Sequence, residues 1–309
     1  MYRWDQKVIL AKIEAVEGTD AAPTGVANAI LARNLAFDPN PSTLLARDLV
    51  KPTVGPVARP VAGRHVVLSF DVEFAGAGGV AVAPKWGPLM RGCGMAETIT
   101  PATGPVVYDP VSVSEESVSI YFNIDGVNHA ALMCRGSVAL AVEPNEVPLL
   151  RFAFTGLHVA PAAAVLPTAD FTGFQPPLAA SKVNTPTFTL HGVAAVLRSL
   201  TLDLGQRVVF RDLVGAARVD IAGRTPAGSI VVEAPAIGTK DWFAAERAET
   251  LDALALVHGT AAGNVAKADA PKVQVHNPRY QEVDGIAYLA MDLNVAEDTG
   301  DDEIRFSTI

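Results

Sequence analysis

Charge is scarce in this chain. Asp, Glu, Lys and Arg supply 18% of its 309 residues, against roughly 25% in typical soluble domains. Half the residues are apolar and mean hydropathy is positive, which excludes a disordered chain. Surface so poor in charge points to a protein that covers itself against neighbours. Runs of Lys and Arg are missing as well, and the net charge is −9. A protein that grips nucleic acid must neutralise phosphates, which argues against DNA or RNA binding, though not against DNA passing by without being held. Cysteine is limited to Cys93 and Cys134, expected to be reduced thiols packed as small apolar groups rather than a disulfide or a metal pair. No stretch approaches the ~18 apolar residues of a membrane span, and no apolar signal core follows Met1-Tyr-Arg-Trp-Asp-Gln-Lys7. The expectation is a chain made and folded in a cytoplasm, with no membrane partner.

Catalytic signatures are also lacking. There is no Gly-x-Ser-x-Gly elbow, no Walker loop and no His-Glu-x-x-His, each of which would place a nucleophile, a phosphate cradle or a zinc pair. Gly76-Ala-Gly-Gly79 leads into Val80-Ala-Val-Ala-Pro84 rather than a helix start, so it reads as a loop. Gly92-Cys-Gly94 reads as a helix end. The histidines (65, 129, 158, 191, 258 and 276) are scattered without metal-ligand spacing, and His158 and His191 sit in strand-like runs. Asp298, Asp301, Asp302 and Glu303 lack the alternating ligands of a calcium loop and read as a solvated acidic tail. Glu115-Glu116 falls in a loop and carries no acid/base argument. The expectation is a protein that is not an enzyme, with no catalytic, cofactor-binding or metal residues and no cofactor.

What the sequence does contain is strand periodicity. Val66, Leu68, Phe70, Val72 and Phe74 alternate with Val67, Ser69, Asp71 and Glu73, the period of a strand with one wet face. Ser117–Asn123 alternates again and runs into Asn123-Ile-Asp-Gly126, where Asp-Gly favours a hairpin. Further strands are expected at 7–13, 131–133, 138–142 and 149–159. A short helix fits Trp86–Cys93. A longer one is expected over Asp241–His258, with Asp241 as cap, Gly259 as stop and a broken stripe of Trp242, Ala245, Leu251, Leu254 and Leu256.

The chain also repeats itself. Arg33-Asn-Leu35 with Asp38 recurs as Arg198-Ser-Leu200 with Asp203, and Arg47-Asp-Leu-Val50 as Arg211-Asp-Leu-Val214. Gly63-Arg64, Ser69, Val72 and Glu73 recur as Gly223-Arg224, Ser229, Val232 and Glu233, and Trp86 as Trp242. Glu146-Val147, Phe152, Leu157 and Val159-Ala160 match Glu282-Val283, Tyr288, Leu293 and Val295-Ala296. The matches keep their order while the offset falls from 165 to 136 residues, as expected of a duplicated and then trimmed domain. The largest loss is assigned to an extra hairpin around Asn123–Gly126 in the first copy. The resulting division is an N-terminal arm at 1–26, a first copy at 27–161, a Pro/Ala-rich linker at 162–187, a second copy at 188–297 and an acidic tail at 298–309. Two tandem mostly-β domains of this kind leave edges for other subunits to complete, and head-to-tail contacts close into rings or run on as filaments.

The first copy resembles the phage tail tube (major tail) proteins of long-tailed bacteriophages. The resemblance rests on Glu17-Gly-Thr-Asp20, Leu45-Ala-Arg-Asp-Leu-Val50, Leu68-Ser-Phe-Asp-Val-Glu-Phe-Ala-Gly76, Ala83-Pro-Lys-Trp-Gly-Pro-Leu-Met-Arg-Gly-Cys-Gly94, Ser119-Ile-Tyr-Phe-Asn-Ile-Asp-Gly126 and Phe152-Ala-Phe-Thr-Gly-Leu157 with Val159-Ala-Pro161. It covers about 1–161 and reaches the second half through the repeat. It implies β-sandwich or barrel domains, each with a flanking helix. It also implies strands that join neighbours into a continuous inner barrel, and homotrimeric rings of pseudo-six-fold symmetry stacked into a tube. Implied too are a virion location, DNA passing the lumen without specific binding, and tape measure, tail terminator and distal tail proteins as partners. Arm, hairpin and tail would then reach adjacent rings. Two other readings compete: a two-domain β-sandwich adhesin or sugar-binding module, for which clustered aromatics are lacking, and the tube subunit of a related secretion system. A hydrolase on a β scaffold has no constellation to carry it.

Overall fold

The computed structural model describes residues 2–102 and 104–309; Met1, at the head of the expected arm, and Thr103, within the expected first copy, lie outside the described residues. Among the described residues strands dominate, and three short helices accompany them. The first half runs β1 (Lys7–Ile13), α1 (Gly25–Asn28), β2 (Ala29–Ile30), β3 (Arg33–Asp38), β4 (Thr43–Leu44), β5 (Val61–Ala62) and β6 (His65–Glu73). It continues through α2 (Gly87–Gly92), β7 (Met95–Ile99), β8 (Val106–Pro110), β9 (Val118–Ile124), β10 (Val127–Val142), β11 (Leu149–His158) and β12 (Ala162–Ala163). The second half runs β13 (Thr187–Leu190), β14 (Val193–Ala194), β15 (Leu197–Asp203), β16 (Gln206–Leu213), β17 (Ala216–Arg224) and β18 (Ala227–Glu233). α3 (Trp242–Arg247), β19 (Leu251–His258), β20 (Ala266–Val283), β21 (Ile286–Ala296) and β22 (Arg305–Thr308) complete it.

Every strand pairing is antiparallel. In the first half the neighbours run β3, β6, β11, β10, β9, β1, β2. In the second they run β15, β18, β21, β20, β19, β13, β14. The same order holds in both. β4–β5 in one half and β16–β17 in the other are separate two-stranded pieces inserted at the same point, between the first two strands of each series. The alternation read for β6 is real: Val66, Leu68, Phe70 and Val72 are buried while the intervening residues are not. Phe70, Phe152 and Phe154 stack beneath it, with ring centroids 5.9–6.1 Å apart.

The two tandem domains expected at 27–161 and 188–297 do not have separate cores. Buried side chains of both halves belong to a single cluster, because two ladders cross between the halves. Ala139–Val142 of β10 pair with Leu200–Asp203 of β15, and Val106–Tyr108 of β8 pair with Phe306–Thr308 of β22. The acidic tail is thereby corrected: Ile304 and Phe306 are fully buried and β22 is wedged between β20 and β8. The burial of Ile304 and Phe306 outweighs the preceding carboxylates, of which Asp301 and Glu303 pair with Arg224. The arm expected at 1–26 is likewise anchored, since β1 pairs along its whole length with β9. The Pro-rich segment at 162–187 is irregular but pinned. Its Leu166, Ala169 and Phe171 pack on Val8, Leu10 and Ala29, and Ala180 exchanges backbone hydrogen bonds with Asn145 and Glu146.

Three further expectations change. The long helix stops at Arg247: Glu249 takes a positive φ of 51° and β19 follows. Leu254, Leu256 and His258 are buried in alternation, so what read as a broken helical stripe is a period-2 strand. The hairpin at Asn123–Gly126, β9–β10, has its counterpart in β19–β20; the piece found in the first half alone is the β7–β8 hairpin that receives β22. Finally, Phe152 lies opposite Phe70, whereas Ile230 lies opposite Met291. The sequence match of Phe152 to Tyr288 therefore puts a core residue on the wrong face of β21, since a one-residue slip reverses every side chain.

Candidate functional site

The sheet edges are where this chain has backbone hydrogen-bonding groups to offer a partner. The junction inside the chain shows what such an edge does. Leu140 and Leu202, opposite each other across β10 and β15, are both fully buried. Leu204 N–H donates to the Val138 carbonyl at 3.0 Å. The Gln206 N–H donates to Ser137 Oγ at 3.1 Å, and its side-chain amide donates to the Cys93 carbonyl at 2.9 Å. Beyond the junction the β16–β17 hairpin leans over the first half: Phe210 stacks on His65 with centroids 4.8 Å apart. Arg135, 3% exposed, donates to the Val219 carbonyl at 2.6 Å, to the Glu115 carbonyl and to Glu17.

A β-bulge sets the direction of β10. Its register shifts between Leu132 and Arg135, and Met133 has a positive φ of 49°. Glu14 holds this bulge from below. Its carboxylate accepts from Met133 N–H at 2.8 Å, from Ser117 Oγ at 2.6 Å, from Ser119 Oγ at 2.9 Å and from Gly18 N–H at 2.7 Å. β20 carries a similar shift between His276 and Arg279, with Asn277 at φ 54° and Pro278, which has no N–H to give to the ladder.

Several strands pair on one side only, and two of these open edges lie at corresponding ends of the two strand series. Among the described residues, β3 pairs with β6 and with nothing on its other side. Arg279–Val283 of β20 pair with β21 and with nothing on the side that β19 covers further back. Exposed apolar residues flank them. Tyr280 is 62% exposed against Phe243 of α3. Leu44, Leu45, Leu49, Val50 and Val54 stand out along the 39–62 segment. The repeated Arg-Asp-Leu-Val motifs end in Val50 and Val214, both fully exposed.

The remaining chemical groups are absorbed by packing. Burial pushes the Cys93 and Cys134 thiols well up from their ordinary range, with Asp203 and Glu14 adding to the effect. His191 Nε2–H donates to the Val273 carbonyl and His258 bridges Thr185 and the Leu178 carbonyl; burial lowers both below the usual imidazole range. His129 lies against Phe37 and Phe122, also lowered by burial and by His158. Gly76-Ala-Gly-Gly79 is a contact between the halves: a Cβ on Gly76 would come within 2.4 Å of the Gly263 carbonyl oxygen. The cluster at 298–303 is tied down by Arg224, which donates to Glu303 at 2.8 Å, to Asp301 and to the Val111 carbonyl. No group of three or more His, Cys, Asp or Glu side chains among the described residues is arranged to hold a metal. A groove of about 460 Å³ beside Val142, Ala180, Phe188 and Leu197 lies at the seam between the halves and presents Lys182 as its one charged wall residue. No helix of the described residues is long and apolar enough to cross a membrane.

Sequence reasoning read the strands but missed the edges, because an unpaired strand has the same pattern as a paired one. Tyr280 marks such an edge: an aromatic on the core-facing side of β20 that touches Phe243 and otherwise stays exposed. No curated protein matches the sequence. A family model described as phage tail tube protein matches residues 4–305, nearly the whole chain. Open edges, a mostly-β fold and that match agree, and the chain belongs to the phage tail tube protein family.

Proposed function

We propose that this protein self-assembles into stacked rings that form the tail tube of a long-tailed phage, the conduit for genomic DNA. The observation that carries the reading is the strand order. One chain already joins two equivalent strand series edge to edge through β10 and β15, and it ends in the same kind of edge on either side. A duplicated domain joined in this way favours a ring of three chains with pseudo-six-fold symmetry, since a heterologous contact that repeats must close or propagate. The divisions at 27–161 and 188–297 are then two copies of one unit that share a core. The net charge of −9 suits a wall that DNA passes without being held, because attraction to phosphates summed over many rings would stall it. Tape measure, terminator and distal tail proteins are the partners this role requires, with assembly in the host cytoplasm. Negative-stain images of the purified chain at high concentration test the reading. Rings with six small lobes, or open-ended tubes, are expected; monodisperse monomer at every concentration overturns it.

A further inference from the structure

We infer that the outer edge of β3 in one copy pairs with Arg279–Glu282 of β20 in the next, in the register that β15 and β10 use within the chain. This deepens the assembly proposed above and rests on it. The argument follows rows of residues across the sheet. On the core face, Val72, Leu150, Leu140 and Leu202 lie opposite one another in turn across β6, β11, β10 and β15. In the second half the same row begins Val232, Leu289, Tyr280 and then stops at open edge. Val232 repeats Val72, and the repeat of Leu202 is Phe37. The missing fourth member of the row is therefore Phe37 of another copy. On the other face, Glu73, Leu149, Ala141 and Thr201 form a row, and its counterpart, Glu233, Tyr288 and Gln281, lacks the residue that repeats Thr201, which is Ala36.

Burial agrees with this placement. Leu140 is fully buried by β15, whereas Tyr280 in the same row is 62% exposed, an uncovered aromatic on a face that is otherwise core. Phe37 lies at the matching edge, half-buried against Phe122 with centroids 4.5 Å apart. Charge agrees as well, since the row containing Ala139 and Asp203 becomes Arg279 and Asp38. The chain beyond β3 extends the contact. Where β15 continues into the β16–β17 hairpin resting on β10 and β11, β3 continues into 39–62, whose exposed Leu44, Leu45 and Leu49 then lie on β20 and β21 of the neighbour. The occupant of each open edge is thus a second copy of this chain.

Cysteine cross-linking tests the register. The double variant A36C/Q281C, oxidised under assembling conditions, is expected to give covalent dimers and a closed trimer on a non-reducing gel, because facing residues of antiparallel strands lie within disulfide reach. Neither single variant does so, and Cys93 and Cys134 stay out of reach in the core. Y280D, at an exposed position, is expected to raise the concentration needed for assembly on the order of ten-fold or more while the monomer, which loses only the contact with Phe243, still folds cooperatively. If the unmodified protein assembles but A36C/Q281C does not cross-link, or a pair shifted by two residues such as D38C/Q281C links instead, this register is overturned and the assembly reading survives. If the unmodified protein never assembles, both fall.

Discussion

Glu14 shows how much a single side chain is asked to hold. Its carboxylate is 7% exposed and has no basic partner among the described residues. Two serine hydroxyls and two backbone N–H groups satisfy it instead, and one of those N–H groups belongs to Met133, the positive-φ residue of the bulge in β10. Glu14→Ala would strand these donors in the core, where each unsatisfied group costs about 1–3 kcal/mol. Glu14→Gln keeps one acceptor oxygen and is expected to lose less. The order of stability is therefore unmodified, then Gln, then Ala, read as denaturation midpoints in urea. The Ala variant is also expected to loosen the junction with β15, seen as faster amide exchange at Leu200–Leu204. Equal midpoints for all three proteins would show that the bulge holds itself.

At the scale of elements, the sequence was legible where one face is wet and one dry. β6 could be read residue by residue, and α2 came within a residue of its expected place, because its apolar side chains bury against the sheet while Pro88 sits in its first turn. It was not legible where burial is two-sided or the partner is distant. β19 looked helical because its Leu residues follow a capped helix without a break in apolar character. β22 looked like a solvated tail because four carboxylates precede it, and nothing local reveals that Phe306 pairs with Tyr108 from the other half. Those carboxylates now define a pH response. The Asp301 carboxyl is held below the usual range by hydrogen bonds from Ser112 and then from Arg224, and Asp302 by Thr299. A carboxyl that binds its proton less readily when folded contributes stability above its unfolded pKa of about 3.9, and that contribution is lost as pH falls through the lower folded value. Below about pH 4 the segment around β22 is expected to open ahead of the rest. Hydrogen exchange at Arg305–Thr308, corrected for its intrinsic pH dependence, should rise relative to β11. Asp301→Asn should show part of that effect already at pH 6. Uniform acid unfolding of both strands would refute the local clamp.

For the whole molecule, the balance between attraction and repulsion decides how assembly responds to salt. Each chain carries a net charge of −9, so bringing copies into rings and stacking them accumulates like charge. In the proposed assembly the contacts that oppose this are strand hydrogen bonds and the burial of exposed apolar side chains such as Tyr280 and the leucines of 39–62, and neither depends strongly on ionic strength. The repulsion does. Its range shrinks from about 30 Å at 0.01 M to about 10 Å at 0.1 M, shorter than the width of a domain. The concentration at which the protein assembles should therefore fall as sodium chloride rises from about 0.01 to 0.3 M, as read by sedimentation velocity or light scattering. An assembly held by cross-subunit ion pairs would respond in the opposite sense, because the same ions screen attraction as well. The Arg279–Asp38 pair at the inferred seam makes that a real contest, and Arg279 is already engaged by Asp292 in its own chain at 3.0 Å, which limits what it adds. Dissolution of the assemblies by salt would move the source of the contact from strand edges to charge. Duplex DNA added at either ionic strength should leave the assembly curve where it was, since a wall of this sign offers phosphates nothing to neutralise.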